Sequence, residues 1–79
     1  MKGLTRADYE DALNFVLDNV EYTYNIKEDF KNFINSMEED GLNYDTFNTN
    51  NGEEFLIEYN GFIFKDDMAI SLYDIEKLE

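Results

Sequence analysis

The clearest pattern of apolar and polar positions lies in residues 53–65, EEFLIEYNGFIFK, and it predicts a β-hairpin. Asn60-Gly61 is the favoured pair for a two-residue type I′ turn, because both central positions of that turn need a positive φ. Side chains alternate between the two faces of a strand, so a turn at this pair fixes which residues share a face. Turn chemistry and apolar pattern therefore agree on a hairpin, around which we expect the rest of the chain to pack.

The two faces of this predicted hairpin differ in chemistry. In the expected register, Tyr59 lies opposite Phe62, and Ile57 lies opposite Phe64. The apolar face, which we expect to be largely buried, collects Phe55, Ile57, Tyr59, Phe62 and Phe64. The opposite, polar face collects Glu54, Glu58 and Lys65.

A first helix is predicted over residues 6–20. Thr5 is placed to cap its N-terminus, and Asp8 stands three residues later, in the position of a capping box. Apolar residues then recur at helical spacing: Tyr9, Ala12, Leu13, Val16, Leu17 and Val20. We expect this stripe to cover the hairpin.

A second helix is predicted to begin after Asn25 and to end before Gly41. Asn25 and Glu28 form another capping-box pattern, and Gly41 is suited to the left-handed position that follows a helix. Its apolar stripe consists of Ile26, Phe30, Phe33, Ile34 and Met37. The connection between the two helices is short, which favours an antiparallel pair.

The remaining segments complete an α+β fold in one domain, residues 1–79. Residues 42–48 are predicted to be a strand, 49–52 a loop and 68–70 a short strand after a tight turn at Asp66-Asp67. Ser71 is then placed to cap a short C-terminal helix, although a single helix over 67–78 also fits the pattern. The predicted fold is two N-terminal helices packed on a small antiparallel β-meander, with a short C-terminal helix.

The net charge of the chain limits the classes of partner that it can bind. Nineteen Asp and Glu residues face six Lys and Arg, giving a net charge of −13 over 79 residues. A magnitude of about 2–8 is enough to keep a small domain soluble, and any larger charge costs stability through self-repulsion. Such a chain repels nucleic acid and anionic membranes, so we expect neither as a direct partner. Its natural partners are basic surfaces.

The composition argues against the common kinds of active site. The chain has no His and no Cys, and it contains no Gly-rich phosphate-binding loop. An oxygen-rich stretch resembles a calcium loop in composition only, because the EF-hand spacing is missing: Asp45, Asn48, Asn50, Asn51 and Glu53. Paired carboxylates suit a glycosidase, but the chain is too small to build a sugar cleft. We expect no enzyme activity, no cofactor and no metal site.

Hydropathy predicts a cytoplasmic protein. The first residues, MKGLTRADYED, turn acidic at once and contain no apolar signal-peptide core. No stretch approaches the roughly 20 apolar residues of a membrane span.

Misplaced carboxylates point to a functional surface. Glu38, Glu39 and Asp40 fall in the last turn of the second helix, where the helix dipole favours cations. Each costs about 0.3–1 kcal/mol there before salt screening, so we predict that this triplet contacts a partner. A second predicted set lies on or beside the polar face of the hairpin: Glu54, Glu58, Asp66 and Asp67. We expect Tyr44 to add a neutral contact.

Small size, extreme acidity, absence of Cys and mixed helix and meander content resemble phage-encoded inhibitors of bacterial defence, including anti-CRISPR proteins and other DNA mimics. The resemblance concerns the character of the whole chain and involves no motif, so it assigns no residue a role. It implies a partner that is a basic nucleic-acid-binding protein, such as a CRISPR effector or a defence nuclease.

Two other interpretations stay open. An immunity or antitoxin-type protein that blocks a basic toxin nuclease also uses carboxylates and tyrosines against Lys and Arg. A phage accessory domain with incidental acidity has the same composition. The sequence leaves open which protein is the target, whether inhibition is by mimicry or allostery, and the oligomeric state.

Overall fold

The computed structural model describes residues 5–78 and places two helices on a four-stranded antiparallel sheet. The elements in chain order are β1 (Thr5–Ala7), α1 (Tyr9–Asp18), α2 (Ile26–Asp40), β2 (Tyr44–Asn48), β3 (Glu54–Lys65) and β4 (Met68–Leu78). Strands β2, β3 and β4 form a meander, and β1 joins the far edge, which gives the order β1-β4-β3-β2.

Both helices cover the same face of the sheet. Phe15 of α1 meets Phe55 of β3 edge-on, with ring centroids 6.1 Å apart, and Phe30 of α2 meets Phe47 of β2 at 5.3 Å. Burying aromatic rings in this way supplies a large part of the apolar area that a small domain needs. The core comprises Ala7, Ala12, Val16, Ile26, Phe30, Ile34, Met37, Phe47, Phe55, Ile57, Tyr73 and Ile75.

The first helix is shorter than predicted, and its cap is a different residue. Asp8 is the N-cap of α1, and its carboxylate accepts a hydrogen bond of 2.8 Å from the Asp11 N–H. Residues 5–7 are instead a strand that pairs with β4, and Ala7 is buried there. The prediction that Thr5 caps a helix was wrong, because residues 5–7 pair their backbone with β4 and Ala7 is buried there, which a longer helix would prevent.

The second helix lies close to its predicted bounds. Gly41 adopts the left-handed conformation, with φ 66°, and its N–H closes the last turn on the Glu38 carbonyl, as a C-terminal glycine does. Asn25 precedes the helix but also has a positive φ, 58°. A residue with that backbone lacks the extended geometry of a capping box, so this detail of the prediction was wrong.

The predicted turn at Asn60-Gly61 was wrong, and the chain turns six residues later. Strand β3 continues through this pair, and Asp66-Asp67 forms the turn, with φ of 52° and 65°. Asn60 and Gly61 together oppose Leu72, which makes them a β-bulge, with Gly61 at φ 80°. Both pairs contain a residue with a positive φ. A turn at Asp66-Asp67 instead of Asn60-Gly61 lets β3 and β4 pair over more residues.

The changed register moves two phenylalanines out of the core. Ile57 pairs with Ile75, and Tyr59 pairs with Tyr73, so the cross-strand partners come from β4. Phe55 and Ile57 are fully buried as predicted, whereas Phe62 is 53% exposed and Phe64 is 72% exposed. The prediction that Phe62 and Phe64 lie beneath the helices was wrong, because they lie beyond the bulge on a part of the sheet that extends past the core.

The predicted C-terminal helix does not exist among the described residues. Residues 68–78 form one continuous strand, hydrogen-bonded to β3 on one side and to β1 on the other. Tyr73 and Ile75 alternate with Asp74 and Glu76, and only the first pair is buried in the core. Pairing with β3 and β1 makes this segment a strand, so both the cap at Ser71 and the single helix over 67–78 were wrong predictions.

Candidate functional site

The sheet face opposite the helices carries a row of polar side chains that crosses all four strands. Tyr44 on β2 pairs with Glu58 on β3, Glu58 pairs with Asp74 on β4, and Asp74 pairs with Arg6 on β1. Neighbouring strands lie about 4.8 Å apart, so the row places two carboxylates side by side at its centre. No helix or strand within residues 5–78 lies over this face.

Two further carboxylates extend this row into a patch. Alternation puts Glu54 on the same face of β3 as Glu58, roughly 13 Å along the strand, and Glu76 on the same face of β4 as Asp74. Tyr44, Glu54 and Glu58 are exposed, while Asp74 and Glu76 are partly buried by their neighbours. We call this set the acidic sheet face: Tyr44, Glu54, Glu58, Asp74 and Glu76.

Asp74 is the carboxylate of this face that is held most firmly. One oxygen accepts a 3.2 Å hydrogen bond from Arg6 Nε, and the other accepts one of 2.8 Å from Asn60 Nδ2. Asn60 belongs to the bulge, so its contact with Asp74 ties the bulge to the face. The Asp74 side chain is only 17% exposed, whereas Arg6 is 63% exposed. Most of the negative charge that a partner meets on this face therefore comes from Glu54, Glu58 and Glu76, and the exposed Arg6 guanidinium lies at its β1 edge.

A second surface is the hairpin arm, which we define as residues 62–71. It contains the end of β3, the Asp66-Asp67 turn and the start of β4, and it is two strands wide. The Phe62 and Phe64 rings meet edge-on, with centroids 5.4 Å apart. On the other face of the arm, Ile63 is 48% exposed and Met68 is 66% exposed. The arm is therefore apolar on both faces and acidic at its tip.

The third surface lies where the end of α2 meets the base of the arm. A groove of about 280 Å³ opens there, lined by Met37, Glu38, Gly41, Leu42, Asn43, Tyr59, Ser71 and Tyr73. Burial raises the pKa of the Tyr73 hydroxyl, and the nearby Glu38 carboxylate raises it further, because both disfavour a phenolate. Glu39 and Asp40 follow Glu38 on the same exposed helix end.

The structure thus divides the predicted site residues among three places. Glu54, Glu58 and Tyr44 come together on the acidic sheet face. Asp66 and Asp67 lie at the tip of the arm, roughly 25 Å along β3 from Glu58. Glu38 lies at the base of the arm, and Glu39 and Asp40 follow it at the exposed end of α2.

Sequence reasoning missed two parts of these surfaces. Asp74 and Glu76 were assigned to a helix, although the alternation of residues 73–76, YDIE, was the available sign of a strand. The exposure of Phe62 and Phe64 follows from where the turn lies, and two possible turn sites were present in the sequence.

Glu53, in the oxygen-rich stretch before β3, makes hydrogen bonds that hold the fold together. Glu53 accepts a 2.6 Å hydrogen bond from Lys77 Nζ and one of 3.1 Å from the Glu21 N–H. These contacts, the Lys77 bond first, lower the pKa of the Glu53 carboxyl. Lys77 also donates to the Asn19 carbonyl at 2.6 Å, so the pair ties the end of α1 to the sheet. Within residues 5–78 no group of three acidic, His or Cys side chains is arranged to hold a metal ion.

Neither helix in the described part of the chain has the length and apolarity that a membrane-spanning helix needs. No protein-family model, curated protein or solved structure matches this chain. Its function is therefore argued from its own surfaces.

Proposed function

We propose that this protein is a non-catalytic inhibitor that acts in the bacterial cytoplasm as a DNA mimic. Its acidic sheet face occupies the basic nucleic-acid groove of a CRISPR effector or defence nuclease and competes there with DNA. The observation that carries the proposal is the row Tyr44, Glu58 and Asp74 on the open face of the sheet, extended by Glu54 and Glu76.

The charge of this face supports a basic partner. The described residues contain two ion pairs, Arg6–Asp74 and Lys77–Glu53, against a net charge of −13 for the chain. Most carboxylates are thus left to act on the surroundings of the protein. A field of this sign accelerates encounter with Lys-rich and Arg-rich clefts and discourages binding to other acidic surfaces.

The rigidity of the face supports mimicry of a phosphate backbone. Carboxylates on paired strands are held at fixed separations, roughly 5 Å across strands and 7 Å along one strand. Duplex DNA likewise presents closely spaced charges, about one for every 1.7 Å of helix axis. A groove lined with Lys and Arg binds either surface through charge-assisted hydrogen bonds.

Charge neutralisation on opposite sides of the molecule tests this proposal. The variant E54Q/E58Q/E76Q removes three charges from the acidic sheet face, whereas E10Q/D11N/D18N removes three from exposed positions on α1, on the other side of the sheet. Both are titrated by fluorescence anisotropy against a panel of guide-loaded CRISPR effectors and defence nucleases, at low and moderate salt.

We expect the sheet variant to bind about tenfold or more weakly to the target and to show a shallower salt dependence. The α1 variant should stay close to the parent. Equal losses in the two variants would show that only net charge matters and would remove the sheet face from the interface.

An immunity-type inhibitor of a toxin nuclease is the second candidate. The observation that favours it is Tyr44, which is 66% exposed and sits beside Glu58. Tyrosine beside carboxylates is a common composition for interfaces that bind basic protein clefts. Tyr44→Ala should then cost at least as much affinity as Glu58→Gln, whereas a phosphate mimic depends more on the carboxylate.

A further inference from the structure

The hairpin arm exposes apolar surface that no other element within residues 5–78 covers. Phe62 and Phe64 on one face of the arm, and Ile63 and Met68 on the other, are between 48% and 72% exposed. A two-stranded hairpin without cover is marginally stable in water, and contiguous exposed apolar side chains mark sites of interaction. The apolar side chains of the arm are therefore buried mainly when a partner binds.

The arm is preformed rather than loose in its geometry. Its backbone pairs in register from Phe62 with Ser71 to Lys65 with Met68. At its base, Asn60 Nδ2 bonds to Asp74, and the Phe62 and Phe64 rings pack edge-on. Two aromatic side chains in a fixed arrangement resemble the anchors of protein interfaces, where Phe, Tyr and Trp fill pockets in the partner.

Charge decides what kind of partner this arm fits. The net charge at both ends of the arm is negative. Asp66 and Asp67 lie beside Lys65 at the tip. Beside the base, the end of α2 carries Glu38, Glu39 and Asp40, and Lys31 lines a neighbouring groove together with Glu38. In a dimer of antiparallel arms, the acidic tip of each copy would approach the acidic base of the other, which costs energy. An anionic lipid surface is disfavoured for the same reason.

We propose that the hairpin arm is an anchor for a positively charged protein. Phe62 and Phe64 enter an apolar pocket on that protein, and Lys or Arg side chains around the pocket meet Asp66 and Asp67 at the tip and Glu38 at the base. This inference goes beyond the proposed function, because it does not require that the partner bind nucleic acid.

A library of random displayed peptides tests the chemistry of the arm directly. The library is selected on the parent protein, and the enriched peptides are then measured against three variants. F62S/F64S removes the anchors. D66N/D67N removes only the charge at the tip, because Asn tolerates the left-handed backbone of this turn. Y24S is the matched control, since Tyr24 is 80% exposed and lies in the loop before α2.

We expect enriched peptides that combine apolar or aromatic residues with Lys and Arg. They should bind F62S/F64S at least about tenfold more weakly, bind D66N/D67N several-fold more weakly and bind Y24S like the parent. Enrichment without basic residues, equal binding to F62S/F64S, or no enrichment would each overturn the proposal. D66N/D67N keeps the phenylalanines, so it separates loss of charge from unfolding of the arm.

Two measurements distinguish the other occupants, and each is made on the parent and repeated on F62S/F64S. Sedimentation equilibrium should show a monomer, and flotation with neutral and anionic phospholipid vesicles should leave the protein unbound. A dimer that F62S/F64S dissociates would make a second copy the occupant, and vesicle binding through the arm would make a lipid surface the occupant. Either result overturns the proposal without bearing on competition with DNA.

Discussion

Glu58 and Asp74 lie directly opposite each other on adjacent strands of the open sheet face. Like charges in this position destabilise a sheet, by up to about 1 kcal/mol, and Arg6 offsets part of that cost by pairing with Asp74. Glu58→Gln should therefore raise the free energy of unfolding slightly while it weakens binding to the target. Urea denaturation at low salt measures the first effect. A less stable variant would show that Glu58 has a favourable partner in the fold.

The positions of two phenylalanines distinguish the observed register from a turn at Asn60-Gly61. Phe55 is fully buried, and Phe55→Ala should cost about 3–5 kcal/mol, enough to unfold much of a small domain. Phe64 is 72% exposed, so Phe64→Ala should cost less than about 1 kcal/mol. Thermal melts followed by circular dichroism compare the two. Similar losses of stability would mean that Phe64 is buried and that the register is different.

The positive φ values at the turn and at the bulge predict opposite effects on stability for two substitutions. Asp67 has φ 65° in the turn, and Asp67→Gly should stabilise the protein by about 0.5 kcal/mol, because Gly adopts this conformation freely. Gly61 has φ 80°, and Gly61→Ala should cost about 1 kcal/mol. A methyl group at Gly61 meets open space, so that cost comes from the backbone alone. Equilibrium unfolding measures both, and a neutral Gly61→Ala would argue against the bulge.

The Glu53–Lys77 pair predicts a dependence of stability on pH. The hydrogen bond from Lys77 lowers the pKa of Glu53 in the folded state below its ordinary value of 4.5. A lowered folded pKa contributes stability that is complete above about pH 4.5 and is lost as pH falls through the folded pKa. Glu53→Gln should thus be less stable than the parent at pH 7, and the difference should shrink in acid. If Glu53→Gln is still less stable than the parent at pH 3, the loss of stability comes from packing and not from the charge of Glu53.

The sequence predicted the helices better than the sheet, for a physical reason. Helix α2 is specified by local sequence, because its apolar stripe and the Gly41 that ends it depend only on residues a few positions apart. Strand β1 depends on pairing with residues about 70 positions away, so the local cap pattern at Thr5 pointed to a helix instead. The β4 segment was ambiguous between the two structures until its pairing with β3 decided it.

The candidate surfaces were predicted only in part, for a related reason. Glu54 and Glu58 were placed correctly on one polar face, because alternation along one strand is a local property. Tyr44 joins them through the pairing of β2 with β3, in a register that the sequence did not predict. Asp74 and Glu76 joined them only through the pairing of β4, which local pattern did not determine. The arm was missed because turns were predicted at both Asn60-Gly61 and Asp66-Asp67, and only the second is a turn. Both pairs accept a positive φ, so local sequence did not show that β3 continues through the first pair.

Competition with DNA shows whether the acidic sheet face occupies the nucleic-acid groove of the target. The labelled protein is titrated against its target in two states, free of DNA and saturated with its DNA substrate, at the same ionic strength. Mimicry predicts tight binding to the DNA-free target and loss of that binding when DNA is loaded, with E54Q/E58Q/E76Q weakened in the DNA-free state. Equal affinity for the two states would contradict the claim, because a protein that occupies the DNA groove cannot share it with DNA.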